Sequence, residues 1–196
     1  MIGGVNRTRA VIAALSVIPV LLVAGCSDDE PKPKFDPTPS VSPTSPSTSP
    51  AGGSARPSLP ADAQGTDTAA AEAFVEFYWQ TVNYAQATGD VDALRRLGDD
   101  SCKACQGGVE YLEEVFAADG QISGGDGVVK IRESTLLPDG DVSEAVVKFT
   151  LTSTPQHVEY PGTEKDKDFP GGRTTMNALL AQTAAGWVMQ SWGAQK

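Results

Sequence analysis

The spacing of apolar residues changes near Gly124 from a helical to an alternating pattern, and this change restricts the fold more than any other feature. Before it, apolar residues recur every three or four positions, which is the spacing of an amphipathic helix. After it, apolar and polar residues alternate, which is the spacing of a half-buried strand. Helices followed by strands predict an α+β domain.

The first predicted helix starts at a capping residue within 66–68 and ends at Gly89. Its apolar face is formed by residues at helical spacing: Phe74, Phe77, Tyr78, Thr81, Val82 and Ala85. The rings of this segment are candidates to line a ligand cavity or, alternatively, to fill the core: Phe74, Phe77, Tyr78, Trp79 and Tyr84. Both arrangements stay open here, because a cavity forms where a core fails to close.

Two shorter helices are predicted next, over 90–98 and from about 102 to 118. Asp100 or Ser101 can cap the third helix, and Gly120 can end it. This helix also carries acids that can serve acid–base chemistry or simply form its solvated side: Glu110, Glu113, Glu114 and Asp119.

Four antiparallel strands are predicted after residue 127. The runs 128–135 and 143–154 alternate and form a hairpin around the turn signal at 138–141. The segment 173–186 is interpreted as a strand, with a helix as the alternative because Asn-Ala-Leu-Leu-Ala-Gln has good helix propensity. In the last strand, which starts at Gly186, alternation assigns side chains to two faces: Trp187 and Met189 on one, Val188 and Trp192 on the other.

The first 65 residues do not have the composition of a folded domain. Residues 1–25 contain Arg7, Arg9 and an uncharged apolar run over 11–23, which is typical of a secretory signal peptide. Residues 26–65 are dense in Pro, Ser and Thr and bury too little apolar surface to fold, which predicts a disordered tether. The alternatives are a glycosylated stalk and a proline-motif ligand. The folded domain is therefore expected over 66–196.

The end of the apolar run, LVAGC, resembles a bacterial lipobox. The resemblance implies cleavage between Gly25 and Cys26 and a diacylglyceryl thioether on Cys26. Two or three acyl chains bury enough methylenes to hold a protein stably on a membrane. The expected location is the extracytoplasmic face of the cell membrane, with the lipid anchor as the membrane contact.

The acidic composition limits the classes of partner. The net charge of the whole chain is −10, and removing residues 1–25 takes away two arginines and no acid, which leaves −12. Such a chain repels nucleic acid and anionic headgroups, and it has no cluster of Lys and Arg. Nucleic-acid binding is excluded on this basis.

Cys102 and Cys105 are separated by two residues, in the stretch SCKACQGG. Outside the membrane such a pair favours a local disulfide that fixes the start of the third helix, since the lipid would use Cys26. The alternatives are a thiol–disulfide exchange site at a helix N-terminus or half of a metal site. A metal site is disfavoured because the chain has no second cysteine pair and His157 is its one histidine.

His157 lies at the end of the second predicted strand. It can act as a general base if a carboxylate orients it, or it can be an exposed strand-end residue. The sequence contains no P-loop and no dinucleotide fingerprint, and no cofactor is expected.

The order of elements and the aromatic first helix resemble the cone-like fold of nuclear transport factor two, ketosteroid isomerase and cystatin. In that fold three N-terminal helices pack on a curved antiparallel sheet of about four strands. The segment FVEFYWQTVNYAQATGDVDALRRLGDDSCKACQ, with the lipobox, also resembles a family of small uncharacterised actinobacterial lipoproteins.

Together these features predict a non-enzymatic, lipid-anchored envelope protein whose cone-like domain binds a partner protein or an apolar small molecule. The open end of the cone, near the loop 160–173, is the expected contact surface. The alternative is an isomerase- or hydratase-like enzyme that uses a polar group in the cavity. A buried Asp, Glu, Tyr or His that reaches into a cavity would distinguish the enzyme from the binding protein.

Overall fold

The computed structural model describes residues 55–137, 143–163 and 165–195. The predicted signal peptide, Cys26 and the tether as far as residue 54 lie outside the described residues. The predicted turn at 138–141 lies outside them as well.

The domain is a mixed α+β structure in which helices precede strands. A short 3₁₀ helix and three α-helices come first: Ala61–Gln64, α1 (Thr68–Thr88), α2 (Asp92–Leu97) and α3 (Lys103–Ala117). The strands are β1 (Gln121–Gly124), β2 (Gly127–Leu137), β3 (Glu144–Ser153), β4 (Gln156–Glu159), β5 (Lys167–Phe169), β6 (Gly172–Thr183) and β7 (Gly186–Ala194).

The strands form two antiparallel sheets. The larger has the order β2-β3-β6-β7 and contains the four predicted strands, with β6 as a strand rather than the alternative helix. The smaller has the order β1-β4-β5 and was not predicted. Strands β1 and β5 have four and three residues, and β5 is exposed throughout, so neither shows the alternation that marks a strand.

Helix α1 lies against the larger sheet and is fixed at both ends by the residues expected there. The Asp67 carboxylate accepts a hydrogen bond from the Ala70 N–H at 2.9 Å, and Gly89 closes the helix in the left-handed conformation, with φ of 75°. The Asn83 side chain exchanges two 2.9 Å hydrogen bonds with the backbone of Gly127 and so holds the helix to β2. The core between α1 and the sheet includes fully buried side chains: Phe74, Tyr78, Val147, Phe149, Leu180 and Met189.

Strand β7 contains a bulge that changes which way its last side chains face. Met189 pairs with Leu180, but Ser191 pairs with Leu179, so Gln190 is an extra residue on β7. Simple alternation places Trp192 on the face opposite Trp187 and Met189, and that prediction is wrong. The extra residue turns Trp192 to the core face, where it packs against the buried cluster.

The start of α3 also differs from the prediction. Its N-cap is Cys102, whose Sγ accepts a hydrogen bond from the Cys105 N–H at 3.2 Å, and neither Asp100 nor Ser101 takes that position. Ser101 instead bonds to the Asp99 carboxylate through both its backbone N–H and its hydroxyl. The chain before α3 therefore turns in a way that buries the sulfur.

Residues 55–65, which composition assigns to the tether, contact the domain. Ala63 in the 3₁₀ helix is 1% exposed, and the Arg56 guanidinium pairs with the Asp90 carboxylate. Ala63 is a small residue among Pro and Ser residues, so the composition of this segment does not indicate that it packs against the domain. Folded contacts thus begin upstream of Thr66.

Candidate functional site

A cavity of about 150 Å³ lies between α1, α2, α3 and β7. Helix α1 lines it with Tyr78, Trp79, Val82 and Gln86, and β7 adds Trp192. The other lining residues come from α2 and α3: Leu94, Cys105, Gly108, Tyr111 and Leu112. None of these described residues carries a charge, so the cavity is an apolar site with a few polar atoms.

The aromatic wall of the cavity is built around Trp79. Its ring meets Trp192 edge to face at a centroid distance of 5.4 Å, and Tyr78 at 6.1 Å. It also contacts Phe149 of the sheet at 6.2 Å. Such pairs contribute roughly 0.5–1.5 kcal/mol each beyond the area they bury, so they stabilise the packing of the wall.

Several polar atoms of the lining are buried without hydrogen-bond partners. They are the Nε1 atoms of Trp79 and Trp192 and the hydroxyl of Tyr111. Burial raises the pKa of Tyr78 to about 12, and the nearby indole of Trp192 offsets part of that rise. The Trp192 N–H nevertheless finds no acceptor in hydrogen-bond geometry. At neutral pH all these groups are donors, and none is a base.

Of the five rings predicted to line a cavity or fill the core, Tyr78 and Trp79 line the cavity. Phe74 is 1% exposed and lies in the filled core. Phe77 faces a separate groove formed with Pro57 and Leu59. Tyr84 is half-buried and donates its hydroxyl to the Asp90 carboxylate at 3.1 Å. The cavity therefore lies on the α3 side of α1.

Cys102 and Cys105 form a disulfide, which is the pairing that the sequence favours. Cys102 is 0% exposed and Cys105 is 5% exposed. The Asp99 N–H donates to the Met189 carbonyl of β7 at 2.9 Å. A Cβ on the neighbouring Gly98 would lie 2.8 Å from the Cys105 Cβ, so the disulfide lies close to β7. Reactive cysteines are normally at least partly exposed, so this placement favours the structural role over thiol exchange.

His157 belongs to β4 in the small sheet and is paired with Asp168 of β5. Its Nδ1 lies 2.8 Å from the Asp168 carboxylate, and both side chains are exposed. The hydrogen bond to Asp168 raises the pKa of His157, and the charges of Asp166 and Glu159 add to that rise. A carboxylate thus orients the imidazole, but the pair lies in an open surface groove of about 490 Å³ and does not line the cavity.

The acids of α3 and of the turn that follows it are solvated. All four candidates are exposed: Glu110, Glu113, Glu114 and Asp119. Glu113 pairs with Arg95 of α2, and with Glu110 it borders an open groove of about 290 Å³. Within residues 55–137, 143–163 and 165–195, no three His, Cys, Asp or Glu side chains lie close enough to hold a metal ion.

The loop 160–173 contains β5 and an exposed ring. Phe169 is 42% exposed beside Pro170, and Lys167 lies 5.7 Å from the ring of Tyr160. Residues 165–173 thus form an exposed charged surface on the small sheet, with Phe169 as an exposed apolar residue at its edge.

Two important cavity residues were not predicted as such. Tyr111 lies on α3 between acidic residues and carries no signal that separates it from the solvated side. Trp192 is assigned to the wrong face because a bulge has no sequence signature in the run GWVMQSWG. The available clue was the large aromatic side chain of Trp192, three positions after Met189.

These residues define a mixed α+β domain with an uncharged aromatic cavity between its helices and its larger sheet. The chain belongs to a protein family of unknown function, DUF6318, which matches residues 44–195. No curated protein matches the chain.

Two solved structures are similar to the chain at low sequence identity. The intermembrane space region of the chloroplast protein ARC6 is 15% identical, over 66% of this chain and 97% of that one, with a TM-score of 0.53. An uncharacterised protein with a cystatin-like fold from Caulobacter vibrioides is 14% identical, over 65% of this chain and 87% of that one, with a TM-score of 0.36. The likeness to the ARC6 region concerns the fold alone. Among the described residues, no helix has the length and apolarity that crossing a bilayer requires.

Proposed function

We propose that this protein is a lipid-anchored, extracytoplasmic binding protein that takes a small, mainly apolar ligand into the cavity between α1, α3 and β7. The observation that carries this proposal is the uncharged aromatic cavity of about 150 Å³ beside the buried apolar core. A site of this size lined by apolar groups binds molecules such as benzene in other proteins.

The membrane anchor in this proposal rests on the sequence. The lipobox supplies Cys26 as the lipidated residue, and the Pro-rich segment after it holds the domain away from the bilayer. The strong negative charge of the chain argues that the lipid, and not a basic surface, makes the attachment. In the same proposal the larger sheet curves around α1 to form the cone that the order of elements implies.

A second candidate is an isomerase- or hydratase-like enzyme that works in the same cavity. Tyr78 and Tyr111 favour it, because a hydroxyl in a cavity can donate to a developing negative charge. Moving a proton from carbon also requires a base, and the described lining residues include no carboxylate and no imidazole. Binding without chemistry therefore fits the lining better.

A partner protein remains a candidate through the surface around Phe169. The backbone of the short edge strand β5 can pair with an incoming strand, and the exposed ring of Phe169 can add an apolar contact. The cavity supports a small molecule more directly, because aromatic side chains from α1, α3 and β7 line it together.

The test of the proposed binding function uses a cavity-filling variant. Gly108 lines the cavity, and a Cβ placed on it meets nothing within 4 Å, so Gly108→Leu should occupy the space. Gly107 has the same open surroundings, does not line the cavity and lies on the same helix, so Gly107→Leu is the matched control. We expect cyclohexane to raise the melting temperature of the wild type and Gly107→Leu but not of Gly108→Leu. Equal responses of the two variants would contradict the proposed site.

A further inference from the structure

Helix α1 packs on one face of the larger sheet, and the opposite face carries a group of charged side chains. Val147 and Phe149 of β3 are 0% exposed in the core shared with α1. The residues that alternate with them, and the register partners of those residues in β2 and β6, therefore lie on the opposite face. One part of this face, here named the outer patch, consists of six residues: Lys130, Arg132, Glu133, Lys148, Thr150 and Arg173.

The outer patch is basic although the chain is acidic. It contains four of the ten Lys and Arg residues in the described part of the chain and one of the eighteen Asp and Glu residues. Arg132 is the extra residue at the bulge in β2, and its Nε donates to the Thr150 hydroxyl at 2.8 Å, which places the guanidinium on this face. Thr150 is neutral and 4% exposed, so it holds the guanidinium without cancelling its charge.

None of the four cations is neutralised by a carboxylate of the described residues. The ion pairs found there join other residues, and Glu133 makes no ion pair although it is the register partner of Lys148. Lys130 and Lys148 are diagonal neighbours across β2 and β3, roughly 7–8 Å apart. Arg173 lies two strands and two residues from Lys130, about 12 Å away. The charges are thus spread over an open area of the sheet.

The sequence does not reveal the outer patch, because its cations come from three strands and reach one face only through the strand register. The absence of a Lys and Arg cluster in the sequence is therefore compatible with a basic surface in the fold. The expected repulsion of anionic headgroups follows from the net charge of the whole chain, and this face departs from it.

The acids of the helices do not cancel the charge of the outer patch at close range. Glu72 and Glu76 belong to α1, which packs on the other face of the sheet. A helix is about 10 Å across, and exposed charges are largely screened beyond about 8 Å at physiological ionic strength. Glu144 also lies on the outer face, about 13 Å from Lys148 along β3. A surface that touches the outer patch therefore meets mainly positive charge.

The spread of these charges favours an anionic surface over a small anion. A phosphate ion needs donors that converge on it, and no cavity or groove described above is lined by any of the four cations. Anionic headgroups form a charged plane that attracts each nearby Lys or Arg separately, with about a fivefold gain for each. The proposed lipid on Cys26 already holds the domain near such a plane, so weak attraction is enough to orient it.

We propose that the outer patch docks on the anionic headgroups of the bilayer to which the chain is anchored, so that the helices point away from the membrane. This inference rests on the lipid anchor of the proposed function and adds the orientation of the domain. The lipid provides the attachment, and the patch selects which side of the domain faces the bilayer. The acids of the helices favour the same orientation, because the charged plane repels them.

The experiment measures which side of the domain approaches the bilayer. The mature protein with its lipid on Cys26 is placed on vesicles of phosphatidylcholine, alone or mixed with phosphatidylglycerol. A fluorescent donor is attached at Asn177→Cys, the register partner of Lys148, or at Gly107→Cys on α3. Both positions are exposed, and the buried disulfide leaves the new cysteine as the free thiol. The readout is energy transfer from the donor to an acceptor on the lipid headgroups.

We expect transfer from residue 177 to rise on the anionic vesicles and transfer from residue 107 to fall. High salt should remove both changes, because it shortens the range of exposed charges. Lys130→Gln combined with Lys148→Gln should lower the ratio of docked to undocked domains about 25-fold. The matched control is Arg96→Gln combined with Lys103→Gln, which removes the same charge from exposed helical positions and should change that ratio less than about twofold.

The outcomes separate docking from the lipid anchor. Protein that does not sediment with phosphatidylcholine vesicles has no working anchor, which overturns the anchor and the docking that rests on it. Protein that sediments but shows equal transfer from residue 177 on the two kinds of vesicle overturns the docking alone. Equal losses in the two double variants would make net charge responsible and would also overturn it. Transfer from residue 177 that falls as protein density on the vesicles rises would assign the face to a second copy of the chain instead.

Discussion

Trp79 of helix α1 and Trp192 of strand β7 meet edge to face, with their ring centroids 5.4 Å apart. The contact exists because the bulge at Gln190 turns Trp192 toward the helix. It joins the first long element of the domain to the last, and it forms one wall of the cavity. The packing of these two rings therefore supports both the stability of the fold and the shape of the site.

This relationship predicts different costs for two substitutions of Trp192. Trp192→Ala removes the wall and should lower the free energy of unfolding by about 3 kcal/mol, as loss of large aromatic side chains does. Trp192→Phe keeps a ring and removes the unpaired N–H, so it should cost less than about 1.5 kcal/mol. Urea denaturation of the mature chain measures both. Equal costs would show that the ring does not pack as described.

The cap residues and the strand alternation show what the sequence predicts well. Asp67 begins α1 and Gly89 ends it, because each pairs with backbone groups a few residues away. Such caps can therefore be predicted from a short stretch of sequence. The buried positions of β6 follow the alternation from Met176 to Leu180. These features depend on residues that are close in sequence, so local sequence patterns predict them correctly.

The parts that were not predicted depend on pairing between distant segments. Strand β1 exists because its four residues pair with β4, from Gln121 opposite Glu159 to Gly124 opposite Gln156. The bulge at Gln190 follows from the register that β6 imposes on β7. Tyr111 becomes a cavity residue only when α3 packs beside α1. No local pattern encodes these contacts.

The disulfide between Cys102 and Cys105 should act as a structural clamp. Closing so short a loop stabilises the fold by about 2 kcal/mol in the chain-entropy account. We therefore expect Cys102→Ala combined with Cys105→Ala to lose about that much stability, and reductant to destabilise the wild type but not this variant. Chemical denaturation with and without dithiothreitol tests this.

A redox role makes the opposite prediction for the native protein. Because both sulfurs are buried, reduction by glutathione should require unfolding and so should proceed no faster than global opening. Fast reduction of the folded chain would support thiol exchange and count against the clamp.

The pair His157 and Asp168 predicts a pH dependence of definite sign. The hydrogen bond to Asp168 raises the pKa of His157 in the folded state. The stabilisation is therefore fully present below the unfolded-state pKa of about 6.5 and is lost as pH rises through the higher folded value. Because the chain has one histidine, its Hε1 resonance reports the pKa directly. Asp168→Asn should lower that pKa, and no change would mean that the pair does not form in solution.

The proposed anchor predicts where the protein is found after cell fractionation. Cys26→Ala removes the thiol that would carry the lipid, so the protein should leave the membrane fraction or remain uncleaved at its signal peptide. Ser27→Ala changes the next residue and leaves the thiol, so it should stay in the membrane fraction. Mature Cys26→Ala protein that sediments with membranes as the wild type does would contradict lipid anchoring.

The central claim is that the space between Trp79, Tyr111 and Trp192 accepts an apolar guest. Crystals of the domain pressurised with xenon test it directly, because xenon enters apolar cavities of about 150 Å³ in other proteins. The account predicts an anomalous peak among these three side chains in the wild type and its loss in Gly108→Leu. Side chains that fill the space, with no xenon bound there in the wild type, would contradict it.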